Sequence, residues 1–133
     1  MATLNLTKDT FESTIVDNDM VLVDFWAAWC GPCRAFGPVY EKVSADHPDV
    51  VFAKVDTEDQ LELAQYFNIR SIPTLMIFRD QVGIYSQPGA LPEPMLRELI
   101  DKARALDMDD VRTKMADHDH DHQHDGDHAS HGH

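Results

Sequence analysis

The chain is poor in cysteine, in basic residues and in long apolar runs. Its 133 residues include only two cysteines, which excludes a framework of several disulfides. No apolar run approaches the ~18 residues that a membrane-spanning helix needs, so we expect no membrane partner. Lys and Arg number 11 against 24 Asp and Glu, for a net charge of −13. This balance argues against nucleic acid and anionic membranes as partners, because both select for basic patches.

The first residues, Met1 to Asn5, lack the basic segment and the apolar segment of a signal peptide. We therefore expect a cytoplasmic protein, and in that compartment an isolated cysteine pair is more often catalytic than structural. The length suits a single hydrophobic core. We assign that domain to residues 1–106, and residues 107–133 to an acidic tail rich in His and Asp that is expected to be disordered.

The two cysteines stand two residues apart in Trp29-Cys30-Gly31-Pro32-Cys33, directly after the apolar run Met20 to Ala28. A Cys-x-x-Cys at the junction of a strand and a helix is a redox signature, because two thiols on one helical turn can form a disulfide. Half of a zinc site is the alternative. Such a site needs a second Cys or His pair, and the predicted domain offers only His47.

Hydrophobic periodicity predicts the element order β-α-β-α-β-α-β-β-α. The near-continuous apolar run from Met20 indicates a central strand that is covered on both faces. Asp80-Gln81 is predicted to be the turn of an antiparallel hairpin, and Thr57 to Asn68 a helix. The expected fold is α/β, with a mixed central sheet of four to five strands and helices on both faces.

The motif and this element order together resemble the thioredoxin family over residues 3 to 106. The resemblance implies the thioredoxin fold and a thiol–disulfide oxidoreductase that reduces disulfides in proteins. It also implies an NADPH-dependent flavoprotein thioredoxin reductase as electron donor, a redox-active disulfide with no tightly bound cofactor, and a monomeric state.

Within this resemblance, Cys30 is expected to be the nucleophile, because a helix N-terminus lowers the pKa of a thiol and the thiolate attacks disulfides. Cys33, one turn further into the helix, is expected to resolve the mixed disulfide. Gly31 and Pro32 set the turn geometry and so tune the relative stability of dithiol and disulfide.

Asp24 lies within the apolar strand, where burial of a carboxylate raises its pKa and makes it a credible base near pH 7. The resemblance implies that it assists deprotonation of Cys33 and that Lys54 approaches its carboxylate. The alternatives are an Asp that reaches solvent and a lysine at the surface. A core role for Trp26 is as plausible as a functional one.

Ile72-Pro73-Thr74 resembles the family loop whose proline is cis and faces the cysteine pair, although an ordinary trans turn is the alternative. Ile72 would then offer its backbone to an extended substrate strand. The expected substrate surface is an apolar collar around Cys30, formed by Trp29, Pro32, Ile72, Pro73, Gly89 and Ala90. Gln81 departs from the family, which usually has Gly at this hairpin position, and this suggests a different turn.

Seven of the eight histidines lie near the C-terminus, among aspartates. They are His118, His120, His122, His124, His128, His131 and His133. Such tracts bind Zn, Ni or Cu, so a metal-binding or metal-delivery protein is an alternative function. A binding subunit that uses the collar without redox chemistry is a third.

Overall fold

The computed structural model describes residues 3–116. Its helices and strands are, in chain order, β1 (Thr3–Asn5), α1 (Lys8–Asp17), β2 (Met20–Trp26), α2 (Gly31–Ala45), β3 (Val51–Asp56), α3 (Leu61–Tyr66), β4 (Thr74–Arg79), β5 (Val82–Pro88) and α4 (Glu93–Ala105). The sheet has five strands in the order β1-β3-β2-β4-β5. Strands β1, β3 and β2 are parallel, whereas β4 runs antiparallel to both β2 and β5. The predicted mixed sheet and element order are confirmed.

The middle strand, β2, is buried on both faces, as its apolar run predicts. Side chains of a strand alternate between the two faces, so β2 contributes to two separate cores. Leu22 packs with buried residues of α2 and α4 on one face. Val21, Val23 and Phe25 pack with buried residues of α1 and α3 on the other. Asp24 belongs to the same series as Leu22 and therefore faces the α2 side.

The start of α3 differs from the expected pattern, whereas the predicted hairpin turn at Asp80-Gln81 is confirmed. Helix α3 begins at Leu61 instead of 57, because the carboxylate of Asp56 accepts a hydrogen bond from the amide of Glu58 (2.9 Å) and holds a turn there. The hairpin turn has positive φ at both central residues, Asp80 (52°) and Gln81 (69°). Two positive φ values define a type I′ turn, whose twist matches that of the flanking strands.

The chain continues as a helix over residues 108–116, beyond the expected end of the domain at residue 106. Met108 is only 5% exposed, and Arg112 lies 3.6 Å from the carboxylate of Asp80 in the hairpin turn. Residues 108–116 are therefore part of the described structure, where we expected a disordered tail. Residues 117–133, with the remainder of that predicted tail, lie outside the described residues.

Within residues 3–116, none of the helices is both long enough and apolar enough to cross a membrane.

Candidate active site

The cysteine pair lies where β2 passes into α2. Cys30 is the N-cap of the helix, and Pro32 stands in its first turn, where a missing N–H is harmless. Cys30 and Cys33 form a disulfide with their Cα atoms 5.2 Å apart, and each residue is 4% exposed. The amide of Cys33 donates a hydrogen bond to Cys30 Sγ (3.2 Å). A donor aimed at this sulfur favours the thiolate over the thiol once the pair is reduced.

The loop before β4 lies directly beside the disulfide. The Ile72–Pro73 bond is cis, as the resemblance implied, and the Ile72 carbonyl oxygen lies 3.7 Å from Cys30 Sγ. The amide of Gly89 donates to the Pro73 carbonyl (2.8 Å), which ties this loop to the end of β5. Gly89 has φ of 111°, a backbone conformation that favours glycine. The structure thus brings together Cys30, Ile72, Pro73 and Gly89.

The expected apolar surface is present around this group in part. Trp29 is 65% exposed, and Pro32 and Ala90 are exposed as well, whereas Pro73 is buried. The Trp29 indole Nε1 donates a hydrogen bond to the carboxylate of Glu58 (3.1 Å). No sequence pattern indicates this contact, because Glu58 comes from the turn before α3.

Beneath α2, Asp24 is only 1% exposed, so the alternative of an Asp that reaches solvent is wrong. Neither carboxylate oxygen has a hydrogen-bond partner among the described residues. Burial raises the pKa of Asp24 to about 7, against a smaller opposing effect of the positive charge of Lys54. A carboxyl group with this pKa can both accept and release a proton near neutral pH.

Lys54 is the cross-strand neighbour of Asp24 in the parallel register of β2 and β3, and it is half-buried. Its Nζ atom lies 4.7 Å from the ring centroid of Trp26. Its ammonium lies over an aromatic ring, where it gains a cation–π interaction.

Tyr40, on α2, is a further polar group of this region. Its side chain is fully buried, and its hydroxyl donates to the Ala53 carbonyl (2.8 Å). Burial and the nearby charge of Asp24 raise the pKa of Tyr40 well above its usual value. Tyr40 therefore stays neutral beside the carboxylate at physiological pH.

The histidines proposed as metal ligands, from His118 to His133, lie outside the described residues. Among residues 3–116, no group of three or more His, Cys, Asp or Glu side chains is arranged to hold a metal ion.

A cysteine that caps a helix, with a second cysteine one turn away that can form a disulfide with it, is suited to thiol–disulfide exchange. With this fold, it defines the class of protein as a thiol–disulfide oxidoreductase that acts on proteins. The family model for thioredoxin matches residues 2–102. The chain belongs to the thioredoxin family.

Relatives and solved structures agree with this membership. A Streptomyces coelicolor protein named "Putative thioredoxin 2" is 60% identical over 116 residues, which cover 87% of each chain. Thioredoxin 1 of Synechococcus elongatus is 41% identical over 99 residues, or 73% of this chain and 92% of the relative. The structure of Plasmodium falciparum thioredoxin superimposes with a TM-score of 0.70 at 36% identity and covers 75% of this chain and 98% of that one. A mutant thioredoxin of Halobacterium salinarum gives a TM-score of 0.72 at 33% identity, with 79% of this chain and 93% of that one covered.

Proposed function

We propose that Cys30 is the nucleophile of this oxidoreductase, that Cys33 is the resolving thiol, and that Asp24 is the proton acceptor for Cys33. The observation that carries the proposal is the hydrogen bond from the Cys33 amide to Cys30 Sγ at the helix N-terminus. This hydrogen bond stabilises negative charge on the sulfur of Cys30, the N-cap residue, and not on that of Cys33, which lies inside the first turn.

The reaction moves two electrons from the dithiol to a protein disulfide. The Cys30 thiolate attacks one substrate sulfur and forms a mixed disulfide, while the other substrate sulfur leaves as a thiolate and takes a proton from solvent. Cys33 then gives its proton to Asp24, directly or through water, and attacks Cys30 Sγ. The second substrate sulfur leaves as a thiolate, and the protein retains the Cys30–Cys33 disulfide.

We propose that the collar around Cys30 receives an extended substrate segment. The exposed indole of Trp29 supplies apolar area on one side of the dithiol. The backbone of Ile72 lies beside the attacking sulfur, Cys30 Sγ, and is available for strand-like pairing with the substrate. Pro73 and Gly89 support this backbone through their mutual hydrogen bond. Gly31 and Pro32 tune the stability of the disulfide through the turn.

Family membership supports an NADPH-dependent flavoprotein thioredoxin reductase as electron donor, and with it a monomer that acts in the cytoplasm. Metal binding by the histidines near the C-terminus stays a prediction of the sequence alone.

Replacement of the resolving cysteine tests the assignment. The Cys33→Ser variant should lose insulin reduction and accumulate mixed disulfides with the substrate, because the covalent intermediate forms but is not resolved. Mass spectrometry of the trapped adduct should place the bond on Cys30, and the Cys30→Ser variant is the matched control that traps nothing.

Reduction of insulin by Cys33→Ser at the rate of the unmodified protein would contradict the assignment. A partner complex that forms equally well with both cysteines replaced would favour the redox-indifferent binding subunit instead.

A further inference from the structure

Three side chains of the central sheet lie together on the face that α2 covers. Asp24 and Trp26 are two residues apart on β2 and therefore point to the same face. Lys54 on β3 is the register partner of Asp24. Neighbouring strands are about 4.8 Å apart, so the lysine side chain is long enough to reach either the carboxylate or the indole ring.

The ammonium lies over the ring. Lys54 Nζ is 4.7 Å from the Trp26 ring centroid, whereas both oxygens of Asp24 are buried without a hydrogen-bond partner among the described residues. A buried carboxylate with a lysine as its direct neighbour would ordinarily form an ion pair. The indole of Trp26 is the group that competes for this ammonium.

We propose that Trp26 is a positioning residue for proton transfer at Asp24, because its ring holds the Lys54 ammonium out of an ion pair with the carboxylate. An ion pair would stabilise the ionised carboxylate and make Asp24 a much weaker base. With the ammonium on the ring, Lys54 still acts on the carboxylate through its charge, but Asp24 can keep a proton near neutral pH. The inference rests on the proposed role of Asp24 as proton acceptor.

The other described groups that face Asp24 carry no positive charge that could take the place of the Lys54 ammonium. On α2, Tyr40 is neutral and its hydroxyl already donates to the Ala53 carbonyl. The same helix supplies the cysteine pair at its N-terminus, which is uncharged as a disulfide. From β4, the register partner of Asp24 is the apolar Leu75. Lys54 is thus the cation whose position matters.

The test measures the pKa of Asp24 in the oxidised full-length protein, by NMR of its carboxyl carbon. Trp26→Leu removes the ring face and should lower this pKa by about one unit, the lower end of the effect of a close opposite charge. Trp26→Phe keeps a weaker aromatic face and should give a smaller shift in the same direction, which guards against poor folding of the leucine variant.

The matched background is Lys54→Met, in which no ammonium is available to move. There, Trp26→Leu should not lower the pKa of Asp24. A merely structural role of Trp26 would act equally in both backgrounds. An unchanged pKa in Trp26→Leu, or a decrease that persists with Lys54→Met, overturns the proposal.

A second readout separates this inference from the role of Asp24. If Asp24 is the base, the pH midpoint for resolution of the mixed disulfide should move down with the pKa in Trp26→Leu. A lowered pKa with an unmoved midpoint would support the positioning of Lys54 and overturn Asp24 as the proton acceptor.

Discussion

Replacement of Asp24 by Asn should stabilise the folded protein in a strongly pH-dependent manner. The folded-state pKa of Asp24 is raised from 3.8 to about 7, because the carboxyl group is buried. Each unit of difference between the folded and unfolded pKa corresponds to about 1.4 kcal/mol, so about three units correspond to ~4 kcal/mol. Solvent screening of this effect is weak, because the residue is only 1% exposed.

The sign follows from which state holds the proton. Between pH ~4 and ~7, the folded protein keeps the proton on Asp24 while the unfolded chain has lost it, so the free energy of unfolding falls as pH rises. Below pH ~4 both states are protonated and the penalty vanishes, and above pH ~7 it is complete. Asn does not titrate. The free energy of unfolding of the variant, relative to that of the unmodified protein, should therefore be ~4 kcal/mol greater at pH 8 than at pH 4.

Urea unfolding of the oxidised protein, at intervals from pH 4 to pH 9, measures this difference. A buried amide without a partner costs a constant amount, so the decisive quantity is the change in the difference with pH. Asp17→Asn, at an exposed position at the end of α1, is the matched control and should give curves much closer to parallel with the unmodified protein than Asp24→Asn does. If Asp24→Asn also gives parallel curves, the buried carboxyl group is not held at a raised pKa.

Two further predictions concern stability. Gln81→Gly should raise the free energy of unfolding by about 0.5–1 kcal/mol, since Gln81 has φ of 69° in the hairpin turn; Gln81→Ala keeps the strain and should not gain. Arg79→Met should lower it by about 1–3 kcal/mol, because the guanidinium donates to the carbonyls of Ala103 (2.6 Å) and Leu106 (3.2 Å) at the end of α4. Urea unfolding at pH 7 checks both, and unchanged midpoints would refute either claim.

The sequence by itself determined the elements and the reactive pair. Apolar runs and periodicity depend on neighbours along the chain, and they placed β2, the start of α2 and the hairpin near their observed positions. The same local pattern predicted that Asp24 is a buried carboxylate, because a single acid in a continuous apolar strand has little access to water. The cis bond at Pro73 followed from the family resemblance, since no local pattern distinguishes it from a trans turn.

Only the tertiary structure decided where the polar side chains of the site go. The position of Lys54 over Trp26 depends on the register of β2 and β3, whose residues are about thirty positions apart in sequence. The bond from Trp29 to Glu58 likewise joins two loops. Residues 108–116 pack through few apolar side chains, so their pattern alone is too weak to predict the helix. Local periodicity selects elements, whereas contacts between them depend on how the whole sheet is paired, and it is those contacts that set the charge around the dithiol.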